Sequence, residues 1–416
     1  MGNRGGMMRT IIGLTLFTAF CVLAFKLFEP VFVYRLGWEA MPSQFPMAQA
    51  QTPEDWRAAG QDLDQMLTDA RTKLNAPSLS AAISVNGQIV WANAVGYEDV
   101  ARKVPATAAT SYRAGSTAKA VTSVMAGVLI GKGQIDLEAP LSKYMADLAA
   151  PMAGLTVRQV MSHTGGVRNY QLCFTCFPVW ENLSTEHFAG TQRETLRAFE
   201  ADPLIFNPGE GFAYTSLGFN AVGGVIEAAS GKRFGAALTE LVTGPLGMTA
   251  TTVEDGRPGP ARAVPYDTEA GRYKQAFPVD NSNKFPSGGM VASPSDLTKL
   301  GQAMIAATLF SAATRDRLID PQELKDGTPN DQGYALGWRY NPKAEMSGGK
   351  RVTRRYGHHG TAQGATSFFQ VYPDEGVVVS VMMNKGQQSL DALTTEAMPM
   401  VERVFQELDG REGAEN

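Results

Sequence analysis

Apolar and polar positions repeat on several periods along this chain, and the changes of period mark out its elements. An uncharged apolar run extends from Ile11 to Phe25, with Arg4 and Arg9 before it. Its fifteen residues suit a signal-peptide core and fall short of the roughly 20 that a spanning helix needs. The run extends past Lys26, however, through Leu27, Phe28 and Val31–Val33, with Tyr34 and Trp38 as interfacial anchors. The first small-x-small cleavage pattern, Ala48-Gln49-Ala50, lies far downstream, and Phe20 is a poor residue to precede a lipidated Cys21. The pattern predicts an uncleaved signal anchor and juxtamembrane segment over 1–38, in preference to a cleaved peptide. Either reading exports the rest of the chain.

Residues 39–51, beginning Glu-Ala-Met-Pro-Ser-Gln-Phe-Pro, read as a linker. Thr52-Pro53-Glu54-Asp55 then has a capping hydroxyl, a first-turn proline and acids at the positive end of a helix, which should run to about Leu74. Leu79–Val85 and Gln88–Ala94 are β-prone runs joined by Asn86-Gly87, a hairpin signal. From about Thr117 to Leu309 helical stretches (Ala118–Ile130, Val157–Met161, Ala221–Ala229) alternate with loops rich in Gly and Pro. Strands return at Thr366–Tyr372 and Val377–Met383 around a Pro373-Asp374-Glu375-Gly376 turn, and a last amphipathic helix covers about Leu390–Leu408. Strands at both ends with helices between predict an α+β fold: an antiparallel sheet built from both termini, flanked by helices, with a helical region inserted. The globular domain is expected over 52–410, with a tail over 411–416.

Composition narrows the function. The chain is 44% hydrophobic and 19% charged, ordinary for a globular protein, and its net charge is −4 with no Lys/Arg block. A nucleic-acid partner would leave a basic face, so that class is set aside. Of three cysteines, Cys21 sits in the apolar run, leaving Cys173-Phe174-Thr175-Cys176. In an oxidising compartment that pair reads as a local staple or as two free thiols. A redox motif lacks its strand-then-helix context, and zinc would need ligands beyond the one nearby histidine, His187.

Candidate chemistry starts at Ser116-Thr117-Ala118-Lys119. S-x-x-K alone is weak, since a second copy stands at Ser347-Gly348-Gly349-Lys350, in a glycine-rich, charged stretch. The first copy instead opens the apolar run Ala120–Ile130, a helix that should be buried, where positions i and i+3 share a face. Ser116 at the helix N-terminus would feel positive backbone potential. Lys119, one turn deeper, would be partly desolvated, and a neutral amine beside a hydroxyl can act as its general base. The bland reading is a capping serine beside a snorkelling lysine.

Tyr112-Arg113-Ala114-Gly115-Ser116-Thr117-Ala118-Lys119 resembles the first motif of the penicillin-binding protein and class C β-lactamase superfamily. Further segments follow in that family's order. They are Gly131–Leu137, Val157–Met161 with Ser162-His163-Thr164-Gly165-Gly166, Pro208-Gly209-Glu210 through Phe219, Ser287-Gly288-Gly289-Met290 with Ser293 and Asp296-Leu297, and Tyr334-Ala335-Leu336-Gly337-Trp338. The resemblance spans about residues 75–405. It is greatest to the mitochondrial β-lactamase-like serine peptidases and their bacterial relatives, with esterases next.

The resemblance implies a β-lactamase/transpeptidase-like fold and places Tyr214 beside Ser116 and Lys119 to shuttle a proton. Where the family usually has Asn, the chain has Ser216, whose shorter side chain leaves its reach to Lys119 or a substrate amide open. His358-His359-Gly360 resembles the third, lysine-containing motif, so His358 takes the lysine position, as a group titrating near neutrality that assists Tyr214 or orients substrate. His359 is expected to face away from the cleft. No metal site is expected from the histidine pair, and no cofactor. The oxyanion hole would be the backbone N–H groups of Ser116 and Thr361, with Gly360 and Ser216 contacting substrate, and His163 is expected to be structural.

These readings combine into a serine acyl hydrolase acting through a Ser116 acyl-enzyme on a peptide or ester with a carbonyl centre, anchored in the membrane and placed outside the cytoplasm, by default in a bacterial periplasm. Replacing the lysine by His358 weakens carboxylate recognition and argues against a potent β-lactamase. A β-lactamase or D,D-peptidase acting on cell-wall-type substrates and a catalytically silent binding or scaffold relative are the alternatives. An α/β-hydrolase is excluded because no G-x-S-x-G elbow occurs.

Overall fold

A computed structural model of the chain describes residues 4–173, 180–255, 261–346, 348–386 and 390–415. Cys176 and Ser347 lie outside the described residues, as do the side chains of Arg4 and Tyr34. Cys173 is disulfide-bonded.

Asn86 and Gly87 both take positive φ, 48° and 85°, as a two-residue hairpin turn demands. They join β1 (Ser78–Val85) to β2 (Gln88–Asp99), with a short β3 (Val104–Pro105) beyond. The C-terminal part adds β4 (Arg339–Met346), β5 (Arg351–Gly357), β6 (Gly360–Ala362), β7 (Ala365–Tyr372) and β8 (Val377–Met383). All join one antiparallel sheet in the order β4-β5-β7-β8-β1-β2-β3, with β6 also paired to β7. The chain ends thus meet at the β8–β1 pair, in the register Val377↔Val85 to Met383↔Leu79, and the two-ended sheet expected from the pattern is the sheet observed.

Alternation along β8 explains how both faces are covered. Val377, Val379, Val381 and Met383 enter one core with α2 (Arg57–Lys73) and α6 (Leu390–Glu415). Val378 and Met382 enter the other, shared with α3 (Ala118–Gly131), α4 (Ser216–Ser230) and α5 (Pro294–Ala306). Burying each such valine contributes about 1.5–3 kcal/mol. On this second face α5 lies close to the sheet: a Cβ on Gly301 would stand 2.5 Å from a Val378 methyl.

Three expectations change. Residues 39–51 are not a free linker: Glu39–Ala40 pairs with Tyr273 and Arg272, and Gln51 exchanges both backbone hydrogen bonds with Ala92 on β2 (2.9 and 3.0 Å). The sequence shows no apolar run there because backbone groups and single side chains do the docking. Thr52 does not cap the following helix, which opens with a Glu54–Trp56 turn behind Pro53. Residues up to Glu415 are helical instead of forming a tail, because Arg411 pairs with Asp55 (2.9 Å) and Arg351 with Asp409 and Glu412 (2.6 and 2.8 Å).

The N-terminal helix, α1 (Arg4–Tyr34), carries a stretch, Met8–Glu29, long and apolar enough to cross a membrane, in which Glu29 alone is buried.

Candidate active site

Ser116 sits in a single tight turn, Gly115–Thr117, at the head of α3. The turn is reached through Tyr112–Arg113, which pairs with Val291–Ala292. Gly115 has φ +52°, and a Cβ there would lie 2.5 Å from the Thr361 carbonyl oxygen, so only glycine lets the turn approach β6. Thr117 fixes the approach: its hydroxyl donates to the His358 carbonyl at 3.0 Å and meets the Ser367 hydroxyl at 2.8 Å. The helix behind it is buried on all sides from Ala118 to Leu129, as its apolar composition predicts.

Lys119 is fully buried. Its Nζ lies 3.2 Å from Ser116 Oγ, 3.1 Å from Ser216 Oγ and 2.9 Å from the Ser287 carbonyl oxygen. Burial, and then the Arg339 guanidinium, hold its pKa well below the ordinary lysine value. A neutral amine has two N–H bonds and one lone pair. The Ser287 carbonyl can only accept, so it takes one N–H; Ser216 takes the other; the lone pair is left for the Ser116 hydroxyl. An ammonium could donate to all three oxygens, so it is burial that selects the neutral base. The shorter Ser216 therefore does reach Lys119.

Tyr214 precedes α4, beside Thr215, whose hydroxyl caps that helix by accepting from Gly218 N–H. Lys119 Nζ lies 4.8 Å from the centre of the Tyr214 ring. Its buried hydroxyl makes no hydrogen bond of regular geometry, yet the Ser116 hydroxyl is near enough to offset part of the burial, which pushes the phenol up to about 12. Tyr214 is thus a neutral phenol and Lys119 the stronger base available to Ser116.

His358 does not hold the place expected for it. Its Nδ1 lies 2.7 Å from the His359 carbonyl, which can only accept, so Nδ1 carries the proton and Nε2 accepts from the Tyr334 hydroxyl at 3.1 Å. Both nitrogens are engaged away from the Tyr214 hydroxyl, and the rings meet only by packing, with centroids 6.1 Å apart. Burial above all, with the Arg339 guanidinium beside it, holds its pKa well below the usual histidine value, so it does not titrate near neutrality. His359 faces the other side of the sheet, against Phe368 (centroids 4.8 Å) and within 3.0 Å of Gln370 Nε2. His163 is buried in a left-handed conformation (φ 62°), its ring 4.5 Å from those of both Tyr214 and Tyr334, with Nδ1 accepting from Thr215 N–H at 3.3 Å.

β6 supplies the other half of the site. In its hairpin with β7, Ala362 faces Ala365 across the two-residue turn and Thr361 faces Thr366. Alternation of an antiparallel ladder then turns the Thr361 N–H outward, away from β7. It turns toward Gly115, where an added Cβ would stand 2.9 Å from Thr361 N. Gly360 keeps this approach open, since a Cβ on it would lie 2.8 Å from Ser116 N and 2.1 Å from the Ala114 carbonyl oxygen. Ser116, Ser216 and Thr361 line a cleft of about 700 Å³, with Tyr170, Lys284 and Ser287 on its walls. Among the described residues no cluster of His, Cys, Asp and Glu is arranged to hold a metal ion.

The structure therefore brings Ser116, Lys119, Tyr214, Ser216, Gly360 and Thr361 together and sets His358 behind them. Sequence reasoning did not place the Ser287 carbonyl, Arg339 or Trp38 at the site. Ser287 acts through its backbone and leaves no side-chain signal. Arg339 follows a recognised segment, and its guanidinium lies 5.5 Å from the Tyr214 ring centre. Trp38, assigned to the juxtamembrane segment, lines the cleft.

Comparison with known proteins agrees with this fold. The Beta-lactamase family profile matches residues 63–398. The human mitochondrial serine beta-lactamase-like protein LACTB is 25% identical, over 79% of this chain and 77% of its own length. Esterase EstB of Burkholderia gladioli is 27% identical, over 61% and 74%. The D-amino acid amidase of Ochrobactrum anthropi has a similar fold, with a TM-score of 0.69 at 21% identity, covering 86% of this chain and all (100%) of its own. The octameric penicillin-binding protein homologue from Pyrococcus abyssi gives a TM-score of 0.67 at 22% identity, over 82% of this chain and 77% of its own. With a family match over most of its length, this chain belongs to the beta-lactamase family of serine hydrolases.

Proposed function

We propose that the chain is a membrane-tethered acyl hydrolase that forms a Ser116 acyl-enzyme on a peptide or ester substrate. The observation that carries this reading is the fully buried Lys119 amine, set 3.2 Å from the Ser116 hydroxyl. Ser116 Oγ attacks the substrate carbonyl carbon while Lys119 takes its proton. The Ser116 and Thr361 N–H groups hold the developing oxyanion. The bond to the leaving group breaks, and the Tyr214 phenol relays a proton to that group, drawing on Lys119. Water then attacks the Ser116 ester, with the same base accepting its proton, and releases a carboxylic acid. Ser216 holds Lys119, and Gly360 lets β6 close on the Ser116 turn. His358 positions Tyr334 and the aromatic packing behind Tyr214.

The catalytic unit is residues 52–410 with the docked 39–51 strap, and 1–38 is an uncleaved anchor holding it outside the cytoplasm, in a bacterial envelope. Cleavage at Ala48-Gln49-Ala50 would remove the Glu39–Ala40 pairing and the hydrogen bond from Ala48 N–H to the Ala94 carbonyl (2.8 Å), which supports retention. Potent β-lactam turnover is disfavoured because the third-motif side chain is a neutral imidazole with both nitrogens occupied.

A panel of nitrocefin, short p-nitrophenyl esters, D-Ala-D-Ala peptides and L-peptide anilides, with Ser116→Ala as control, tests the reading. Ester turnover abolished by that change, with feeble nitrocefin hydrolysis, is expected. Ester turnover that survives Ser116→Ala, or rapid nitrocefin hydrolysis by the wild type, would overturn it.

A further inference from the structure

The wall of the cleft is completed by the chain that leaves the anchor. Trp38 lines the same cleft as Ser116, four residues after α1 ends at Tyr34. It is clamped there. Glu39–Ala40 pairs with Arg272–Tyr273, Met41 N–H donates to the Gly271 carbonyl at 2.8 Å, and the Tyr273 hydroxyl donates to the Glu39 carboxylate at 2.8 Å. The Arg272 guanidinium and Lys274 ammonium lie 5.5 and 5.1 Å from the indole centre. The hairpin carrying them also gives the cleft Asp267 and Glu269.

These short connections set the distance between membrane and cleft. The apolar window ends at Glu29 and the helix at Tyr34. Five helical steps of about 1.5 Å and four extended ones of at most about 3.6 Å place Trp38 within roughly 22 Å of the hydrocarbon edge. The headgroup layer occupies about 5–7 Å of that span. An indole beside the exposed Arg272 guanidinium suits this interface, the ring among acyl chains and headgroups and that charge toward anionic lipid, Lys274 being buried.

We infer that the cleft opens on the bilayer surface and that its substrate is an amphiphilic ester or amide held in that surface, with Trp38 a specificity-determining residue contacting its apolar part. The inference rests on the hydrolase reading above. The chemistry is unchanged: Ser116 Oγ takes the acyl group, the protonated leaving group departs, and water releases the acid.

The test uses the full chain in phosphatidylcholine–phosphatidylglycerol vesicles, with 4-methylumbelliferyl oleate in the same bilayer and p-nitrophenyl acetate in the water. A Gly-Ser spacer of about 20 residues between Leu36 and Gly37 keeps Trp38 and its clamp but adds about 25 Å of reach. Oleate turnover should fall at least about fivefold as the effective concentration drops, with acetate turnover unchanged. In the unlengthened chain, Trp38→Ala should raise KM for the oleate more than for the acetate. A spacer variant that hydrolyses both esters as the wild type does would overturn the inference. So would a wild type active on acetate alone, which would leave the hydrolase reading standing. A wild type inactive on both esters would overturn both.

Discussion

Lys119→Met tests the charge state on which the site depends. An unfolded lysine keeps its proton up to about pH 10.4, whereas burial, and then Arg339, hold folded Lys119 neutral down to a much lower pH. Between those limits the unfolded chain binds one more proton than the folded one. Folding stability then rises with pH, by about 1.4 kcal/mol per unit, and falls as pH drops toward the folded pKa. Methionine removes the titration and keeps most of the volume, so subtracting the variant isolates this one group. From pH 7.5 to 9.0 the wild type should gain about 2 kcal/mol on Lys119→Met. Unfolding entropy near 2.1 cal/mol/K per residue is roughly 0.75 kcal/mol/K over residues 52–410, so the gain appears as about 3 °C in Tm. Differential scanning fluorimetry of both proteins in the same detergent at several pH values measures it. A Tm difference that does not move between pH 7.5 and 9.0 would refute the reasoning, because Lys119 would then be protonated in the fold.

The same amine must be neutral to act, so kcat/KM should rise with pH through a single ionisation far below the ordinary lysine value and reach a plateau before pH 10, as an ester-hydrolysis profile will show. Ser216→Ala removes one hydroxyl 3.1 Å from Lys119, and at about 0.5–1.5 kcal/mol it should lower kcat roughly 2–10-fold, with Ser216→Asn recovering part of the loss in the same assay. Gly360→Ala sets a methyl 2.1 Å from the Ala114 carbonyl and 2.8 Å from Ser116 N. Its displacement of β6 should cut kcat by about 10²-fold, the range for a lost oxyanion donor, while circular dichroism stays native. Tyr334→Phe leaves buried His358 Nε2 without its donor. It should cost about 1–3 kcal/mol, seen in thermal unfolding, and change kcat less than Ser216→Ala does.

What was legible in the sequence follows from how each feature is encoded. The β1–β2 hairpin and the run Val377–Met383, apolar except for Ser380, were readable because turn chemistry and apolar stretches are local properties. The S-x-x-K pair was readable only in context, since the apolar helix behind Ser116 separates it from the copy at Ser347. Strap 39–51 and the strand Arg272–Gln275 were not readable: neither has a periodic apolar pattern, and both are held by backbone pairing to distant segments, Glu39–Ala40 to Arg272–Tyr273 across more than 200 residues. His358 was assigned by motif position, but its state depends on Tyr334, 24 residues upstream, and on burial that only the assembled core supplies. Ser287 contributes a carbonyl that any residue could provide.

Intact mass and peptide mapping of the full chain after treatment with a fluorophosphonate test the central claim most directly. The account predicts one stoichiometric adduct, on Ser116, with its rate of formation rising with pH as Lys119 loses its proton and lost in both Ser116→Ala and Lys119→Met. An adduct on another serine, or unaltered labelling of Ser116 in Lys119→Met, would contradict it.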